Sequence, residues 1–178
     1  MSRHALVLNG EILEYRDYAP NVDQSTLAPG KPRMLPVVKV NAEHDPVTQV
    51  RTGPQYIVEA NQVSEVYTVR NKNAAELAAM KANKVAAVKA EAETRILAIM
   101  PQHKQLNSLA LGMEMVTTYG PDPTKWPDDA RATYDAVMAQ WAQIKALRAA
   151  SNAKEAEIAA LKAPAGVAAY DVTTKGWN

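Results

Sequence analysis

Histidines and their neighbours are the first places to look for acid–base or metal chemistry in this chain. The three histidines, His4, His44 and His103, lie far apart, and none has a second histidine at the i, i+4 spacing of a helical metal site. His44 precedes Asp45, a carboxylate that could orient the imidazole of a catalytic pair, but no serine lies in a Gly-x-Ser-x-Gly setting. We therefore interpret the histidines as solvated or capping residues.

Acidic residues, cysteines and glycines give no stronger candidate. Asp122, Asp128 and Asp129 could bind a divalent cation, although a loop followed by negative charge at a helix N-terminus is the favoured interpretation. The absence of cysteine excludes a thiol nucleophile, a disulfide and a thiolate metal site. The seven glycines are isolated, so the sequence has no glycine-rich phosphate loop. We expect no enzymatic activity, no cofactor and no metal.

The composition is typical of a chain that buries part of its surface against other proteins. Hydrophobic residues make up 47% of the 178 residues, but many are alanine, aromatic residues reach only 6%, and phenylalanine is absent. Alanine favours helices and buries little area, so we expect a thin core and an oligomer or assembly component. The 20 basic and 19 acidic residues give a net charge of +1, and we expect no nucleic-acid partner.

Membrane and targeting segments are not indicated by the sequence. No apolar run approaches the roughly 18 residues of a membrane span, so we expect no membrane insertion. The apolar run Ala5–Leu8 is too short for the core of a signal peptide. Synthesis in the cytoplasm is therefore the expectation.

Residues 1–70 contain many proline, glycine and β-branched residues, which predict a small antiparallel β domain. Asn9-Gly10 lies between Ala5–Leu8 and Glu11–Tyr15 and predicts a two-residue hairpin turn. The prolines between residues 19 and 36 predict an extended arm there.

Further short strands are expected after this arm. Val37–Val40 is a β-branched run, and Tyr56–Glu59 and Val63–Arg70 form a predicted strand pair. Asp45-Pro46 and Gly53-Pro54 predict turns between them. The first domain is thus a β-rich head of residues 1–70 with its proline-rich arm.

Alanine, lysine and glutamate dominate from residue 71 onward, and the apolar spacing becomes helical. Asn73 with Glu76 forms a predicted capping box that begins a helix over 73–99. Further helices are expected over 104–117 and 128–162, the last uninterrupted for about nine turns. The helical region covers 71–163, so the chain as a whole is predicted to be α+β.

Two details of this region also follow from the pattern. The lysines and glutamates between 81 and 93 are interpreted as a solvated helix face with pairs such as Lys89–Glu93. Residues 164–178 form a C-terminal tail, and a short strand at Tyr170–Val172 is left open.

The last predicted helix carries an apolar stripe at steps of three and four, as in a coiled coil. Large apolar residues are scarce elsewhere in the helical region, so we expect this seam to contact another chain. The predicted inter-chain seam consists of Tyr134, Val137, Trp141, Ile144, Leu147 and Ile158.

Two segments resemble known proteins. Residues 45–70 contain DPVTQVRTGP, YIVEANQV and VYTVR, and residues 101–107 read PQHKQLN. The first resembles a segment of small tail proteins of phages and prophages, where an Ala/Glu-rich helix often follows. The second is similar to the Pro-x-x-Lys-Gln-x-Asn motif of tail-fibre-associated and XkdW-like tail proteins.

The resemblance implies a part of the virion tail or a helper in its assembly, with no catalytic residues to carry over. The first expectation is a structural protein of the tail tip, baseplate or fibre attachment. It would be located in the virion tail, made in the host cytoplasm, and partnered by other tail proteins and by itself. A homotrimer is slightly favoured by the likeness to fibre-associated proteins. The alternatives are a tail or tail-fibre assembly chaperone that leaves the particle and, least favoured, a small enzyme acting on the cell envelope.

Overall fold

The computed structural model describes residues 3–24 and 27–177, and the chain divides into two compact units between Lys72 and Asn73. The first unit contains a five-stranded sheet and the second contains helices, which confirms the predicted α+β class. The division lies two residues after the boundary predicted at residue 70. Residues 164–177 belong to the helical unit rather than forming a separate tail.

The sheet has the strand order β2-β1-β3-β5-β4. Its strands are β1 His4–Leu8, β2 Glu11–Arg16, β3 Arg33–Val40, β4 Gln49–Val58 and β5 Val63–Asn71. Its core consists of Ala5, Val7, Leu35 and Val63. The predicted hairpin between β1 and β2 is confirmed, and Asn9 and Gly10 adopt φ angles of 54° and 84°, as a type I′ turn requires.

The sheet is mixed, so the expectation of a purely antiparallel domain is wrong. Three of its strand pairs are antiparallel, but β3 and β5 run parallel from Val37 opposite Val63 to Val40 opposite Val66. The single strand β4 reverses the chain direction between them and lies at the edge of the sheet. β5 therefore returns beside β3 in the same direction.

Two proline positions differ from the prediction. Pro36 lies in β3 rather than in the arm. The next residue, Val37, donates its N–H to the Arg3 carbonyl at 2.9 Å, so the nitrogen of Pro36 points to the opposite side, where pairing with β5 begins only at Val37. Gly53-Pro54 lies inside β4, where the pairing with β5 shifts between Thr52 and Gln55, so the predicted turn is wrong. A Cβ on Gly53 would lie 3.1 Å from the Val66 carbonyl oxygen, which explains the need for glycine there.

The helical unit contains four α-helices in its described residues. They are α1 Ala74–Ile99, α2 Gln102–Tyr119, α3 Asp128–Ala160 and α4 Pro164–Ala169. Asn73 and Glu76 form the predicted capping box at the start of α1. The 33 residues of α3 are uninterrupted, as predicted, and α4 occupies the start of the predicted tail.

The core of the helical unit lies between α1, α3 and the C-terminal segment. It contains Val88 and Ala92 of α1, Leu147 and Ile158 of α3, and Trp177. Residues 170–177 have no strand; they fold back so that Trp177 closes this core, and the strand left open at Tyr170–Val172 does not form. The tail is therefore part of the packing of the unit.

Cations of α1 hold this arrangement rather than forming a purely solvated face. The Lys81 amine donates to the carbonyl of Ala159 at 2.7 Å, and the Lys84 amine donates to the carbonyl of Tyr170 at 3.0 Å. Lys89 forms an ion pair with Glu155 of α3, at 3.4 Å between Nζ and Oε2, and not the predicted pair with Glu93. Lysines near the last carbonyls of α3 also complement the negative end of its dipole.

Candidate protein-binding surface

The three histidines lie in different segments of the two units. His4 is buried in β1, His44 lies between β3 and β4, and His103 is exposed in the first turn of α2. Asp45 does not orient His44, because its two carboxylate oxygens accept from the Val47 N–H at 2.9 Å and the Thr48 hydroxyl at 2.7 Å. These hydrogen bonds lower the pKa of Asp45 and fix a turn.

The acidic residues considered for a cation act as caps and helix partners. Asp122 accepts hydrogen bonds from the Thr124 hydroxyl at 2.7 Å and the Thr124 N–H at 3.1 Å, and these contacts lower its pKa. Asp128 pairs with Arg131, at 3.2 Å between Oδ1 and Nη2, in the first turn of α3. Within the described residues, no three His, Asp or Glu side chains form a group that could hold a metal ion.

An aromatic and charged cluster is a second polar feature, and it joins Tyr15 of β2 to Tyr56 of β4, the strands at the two edges of the sheet. The Arg3 guanidinium lies 4.0 Å from the centre of the Tyr15 ring, and the Tyr15 and Tyr56 rings are 5.2 Å apart. Glu65 is buried, lies 3.9 Å from the Lys39 amine and accepts from the Tyr67 hydroxyl. These groups satisfy one another, which is the arrangement of a structural sheet face.

The predicted seam of α3 is divided between two environments. Ile144, Leu147 and Ile158 are buried within the chain, so these three do not form an inter-chain surface. Leu147 and Ile158 pack in the core with α1. The scarcity of large apolar side chains predicted that the seam would not be covered within the chain, and for these two residues that prediction is wrong. Because alanines such as Ala92 allow close helix approach, a few large residues were enough.

The first half of the seam remains partly exposed. Tyr134, Val137 and Trp141 line an open groove of about 610 Å³ between α2 and α3. Trp141 donates its indole N–H to the Ser108 hydroxyl at 3.1 Å, and Tyr134 packs at 5.3 Å, ring centre to ring centre, against Trp126. The first contact lies beside the N-terminal half of α2, and the second lies near the cluster of Met115, Trp126 and Ala130 toward its C-terminal end.

The most exposed apolar residues of this region lie on α2 and were missed in the sequence. Leu106, Leu109, Met113 and Val116 are 63%, 57%, 74% and 45% exposed. Their spacing of three, four and three places them on one face of the helix, and we call this face the α2 stripe. The same periodicity that indicated the α3 seam is present here, but no apolar stripe was assigned to the helix predicted over 104–117.

The groove and the α2 stripe form one largely apolar surface. Leu109, Met113 and Val116 of the stripe also line the groove, and Met138 of α3 lies on its opposite side, 38% exposed. Lys145 is the charged residue among the described groove-lining side chains. A continuous apolar surface of this kind on a helical pair is typical of a site for another helix.

No family model, curated protein or solved structure matches this chain significantly. No helix in the described residues is both long and apolar enough to cross a membrane.

Proposed function

We propose that the chain is a non-catalytic structural component of a phage tail, at the tail tip, baseplate or fibre attachment, that acts through protein–protein contacts. The proposal rests on the apolar surface formed by the α2 stripe and the α2–α3 groove. It is supported by the likeness of residues 45–70 and 101–107 to segments of small tail proteins.

The size of the uncovered surface supports an interaction role. Burying a large aliphatic side chain contributes about 1.5 to 3 kcal/mol. The four side chains of the α2 stripe are between 45% and 74% exposed. Covering their exposed parts would therefore contribute about 4 to 7 kcal/mol per chain. That amount is comparable to a sizeable part of the free energy that a specific association needs.

Mass spectrometry of purified particles tests the tail assignment. Particles of the phage or prophage that encodes the chain should contain it at a fixed copy number relative to other tail proteins. If the chain is abundant in the infected cell but absent from the particles, the structural role is rejected and the assembly chaperone is favoured. If it associates with neither particles nor tail proteins, both tail functions are rejected.

A further inference from the structure

The α2 stripe is symmetric about its centre. Counting from Leu111, Leu109 and Met113 are each two residues away, and Leu106 and Val116 are each five residues away. A stripe with this spacing presents the same pattern of apolar positions when the helix is turned end to end. It therefore matches an antiparallel copy of itself, a pairing in which the two-fold axis is perpendicular to the helices and crosses them at the level of Leu111.

The positions beside the stripe carry no charge that would oppose such a copy. In a heptad that places Leu106 and Met113 at position a, the flanking e and g positions near the centre are Gln105, Ala110, Gly112 and Thr117. Charged side chains at these positions commonly select a different partner chain. Because they are absent here, a second copy of this helix would meet no like charge along the stripe.

Gly112 gives independent support for a close helix neighbour. Glycine in the middle of a helix is destabilising relative to alanine. A Cβ on Gly112 would meet no atom within 4 Å, so no contact with the described residues requires glycine at this position. Glycine and alanine beside an apolar stripe let another helix approach closely.

We propose that two copies of this chain pair through antiparallel α2 helices, with Leu106 of one copy opposite Val116 of the other and Leu109 opposite Met113. This alignment places the d position of one helix against the a position of its partner, as in antiparallel coiled coils. It also sets Lys104 at the level of Thr118 of the other copy. A parallel pair would instead bring the two positively charged Lys104 side chains to the same level, so charge favours the antiparallel pair.

The same pairing would help to cover the groove, because the second α2 would lie alongside Tyr134, Val137 and Trp141. The inference does not rest on the tail assignment. A chain that pairs in this way but is absent from particles would overturn the proposed function and leave the pairing standing.

Single cysteines distinguish the orientation, because the native sequence has none. In the proposed pair the two Ala110 positions differ by only about 3 Å along the helix axis, so oxidised Ala110→Cys should form a disulfide dimer. The two Leu106 positions differ by about 15 Å, so Leu106→Cys alone should not, whereas a mixture of Leu106→Cys and Val116→Cys should. Cross-linking of Leu106→Cys with itself, and none of Ala110→Cys, would overturn the antiparallel arrangement.

Sedimentation velocity tests the pairing without any cross-link. The wild-type chain should show a concentration-dependent dimer at micromolar concentrations, and Met113→Glu should raise its Kd at least tenfold. Asn107→Glu, an equal change of charge on an exposed α2 residue outside the stripe, is the matched control and should leave the Kd within about twofold. A wild-type chain that stays monomeric at tens of micromolar, or equal effects of the two variants, would overturn the proposal and leave the surface to a different partner.

Discussion

Trp177 is the residue through which the C-terminal segment closes the helical core, and its removal should destabilise the whole helical unit. The ring is 6% exposed and packs with Val88, Leu147 and Ile158. Its indole N–H donates to the carbonyl of Val172 at 2.7 Å, and the Lys154 amine lies 5.3 Å from the ring centre. Trp177→Ala would remove all of these contacts together.

The expected loss is large compared with the stability of an ordinary domain. Truncating a buried tryptophan to alanine costs about 3 to 5 kcal/mol, out of a typical unfolding free energy of about 5 to 15 kcal/mol. Trp141→Ala is a matched control, because Trp141 is half-exposed in the open groove and keeps one hydrogen bond, to Ser108. Its loss should cost only about 1 to 2 kcal/mol in the isolated chain.

Urea unfolding followed by far-ultraviolet circular dichroism measures both variants, since the helices dominate that signal. The urea concentration at the unfolding midpoint should fall far more for Trp177→Ala than for Trp141→Ala. If Trp177→Ala unfolds within about 1 kcal/mol of the wild type, or both tryptophans cost the same, the C-terminal segment does not close the core and the packing described here is wrong.

Three further predictions concern the ends of the helical unit. Hydrogen bonds from the Thr174 hydroxyl and from the N–H groups of Thr174 and Thr173 hold the pKa of the partly exposed Asp171 carboxyl far below its usual value. The unfolded state therefore binds the proton more readily than the folded state. The free energy of unfolding in urea should be higher for wild type than for Asp171→Asn by its full difference at pH 7, and this difference should shrink below about pH 4. Burial, with a hydrogen bond to Glu157, raises the pKa of Tyr170 to about 12, so one tyrosine should ionise late in an ultraviolet titration, and earlier in Glu157→Gln. Asn73→Ala removes the cap of α1 and should cost about 1 kcal/mol in thermal unfolding.

Local patterns predicted the elements of the fold well. Asn9-Gly10 specified the first hairpin because both residues tolerate positive φ, and the Asn73–Glu76 capping box marked the start of α1 to within a residue. Both signals act over a few residues and do not depend on the rest of the chain. The long, regular apolar spacing of α3 was equally informative.

The pairing of strands that are distant in sequence could not be predicted from such short motifs. The turn signals of Gly53-Pro54 were outweighed by the pairing of β4 with β5, which continues on both sides of an irregularity. The parallel pairing of β3 with β5 depends on β4 lying at the sheet edge, and no short motif indicates that order. Tertiary context thus overrode proline and glycine at these positions.

The candidate site shows the same limit. Periodicity identified an apolar face on α3, but it could not tell that α1 would cover Leu147 and Ile158 or that α2 would leave its own stripe open. Which apolar side chains are buried depends on which helices approach each other. Alanine-rich helices approach closely, but they carry few large apolar side chains that would reveal the contact in the sequence. The cations of α1 were misjudged for the same reason, because the carbonyls they bind, such as those of Ala159 and Tyr170, are distant in sequence.

Incorporation of variants into particles tests most directly the claim that this chain works in a tail through its α2–α3 apolar surface. Particles should be purified from cells in which the native copy is replaced by wild type, Met113→Glu or Asn107→Glu, and the chain quantified per particle by mass spectrometry. Wild type and Asn107→Glu should be incorporated equally, and Met113→Glu should be incorporated at least tenfold less, with both variants equally folded by circular dichroism. Equal incorporation of all three chains, or absence of the wild-type chain from the particles, would contradict it.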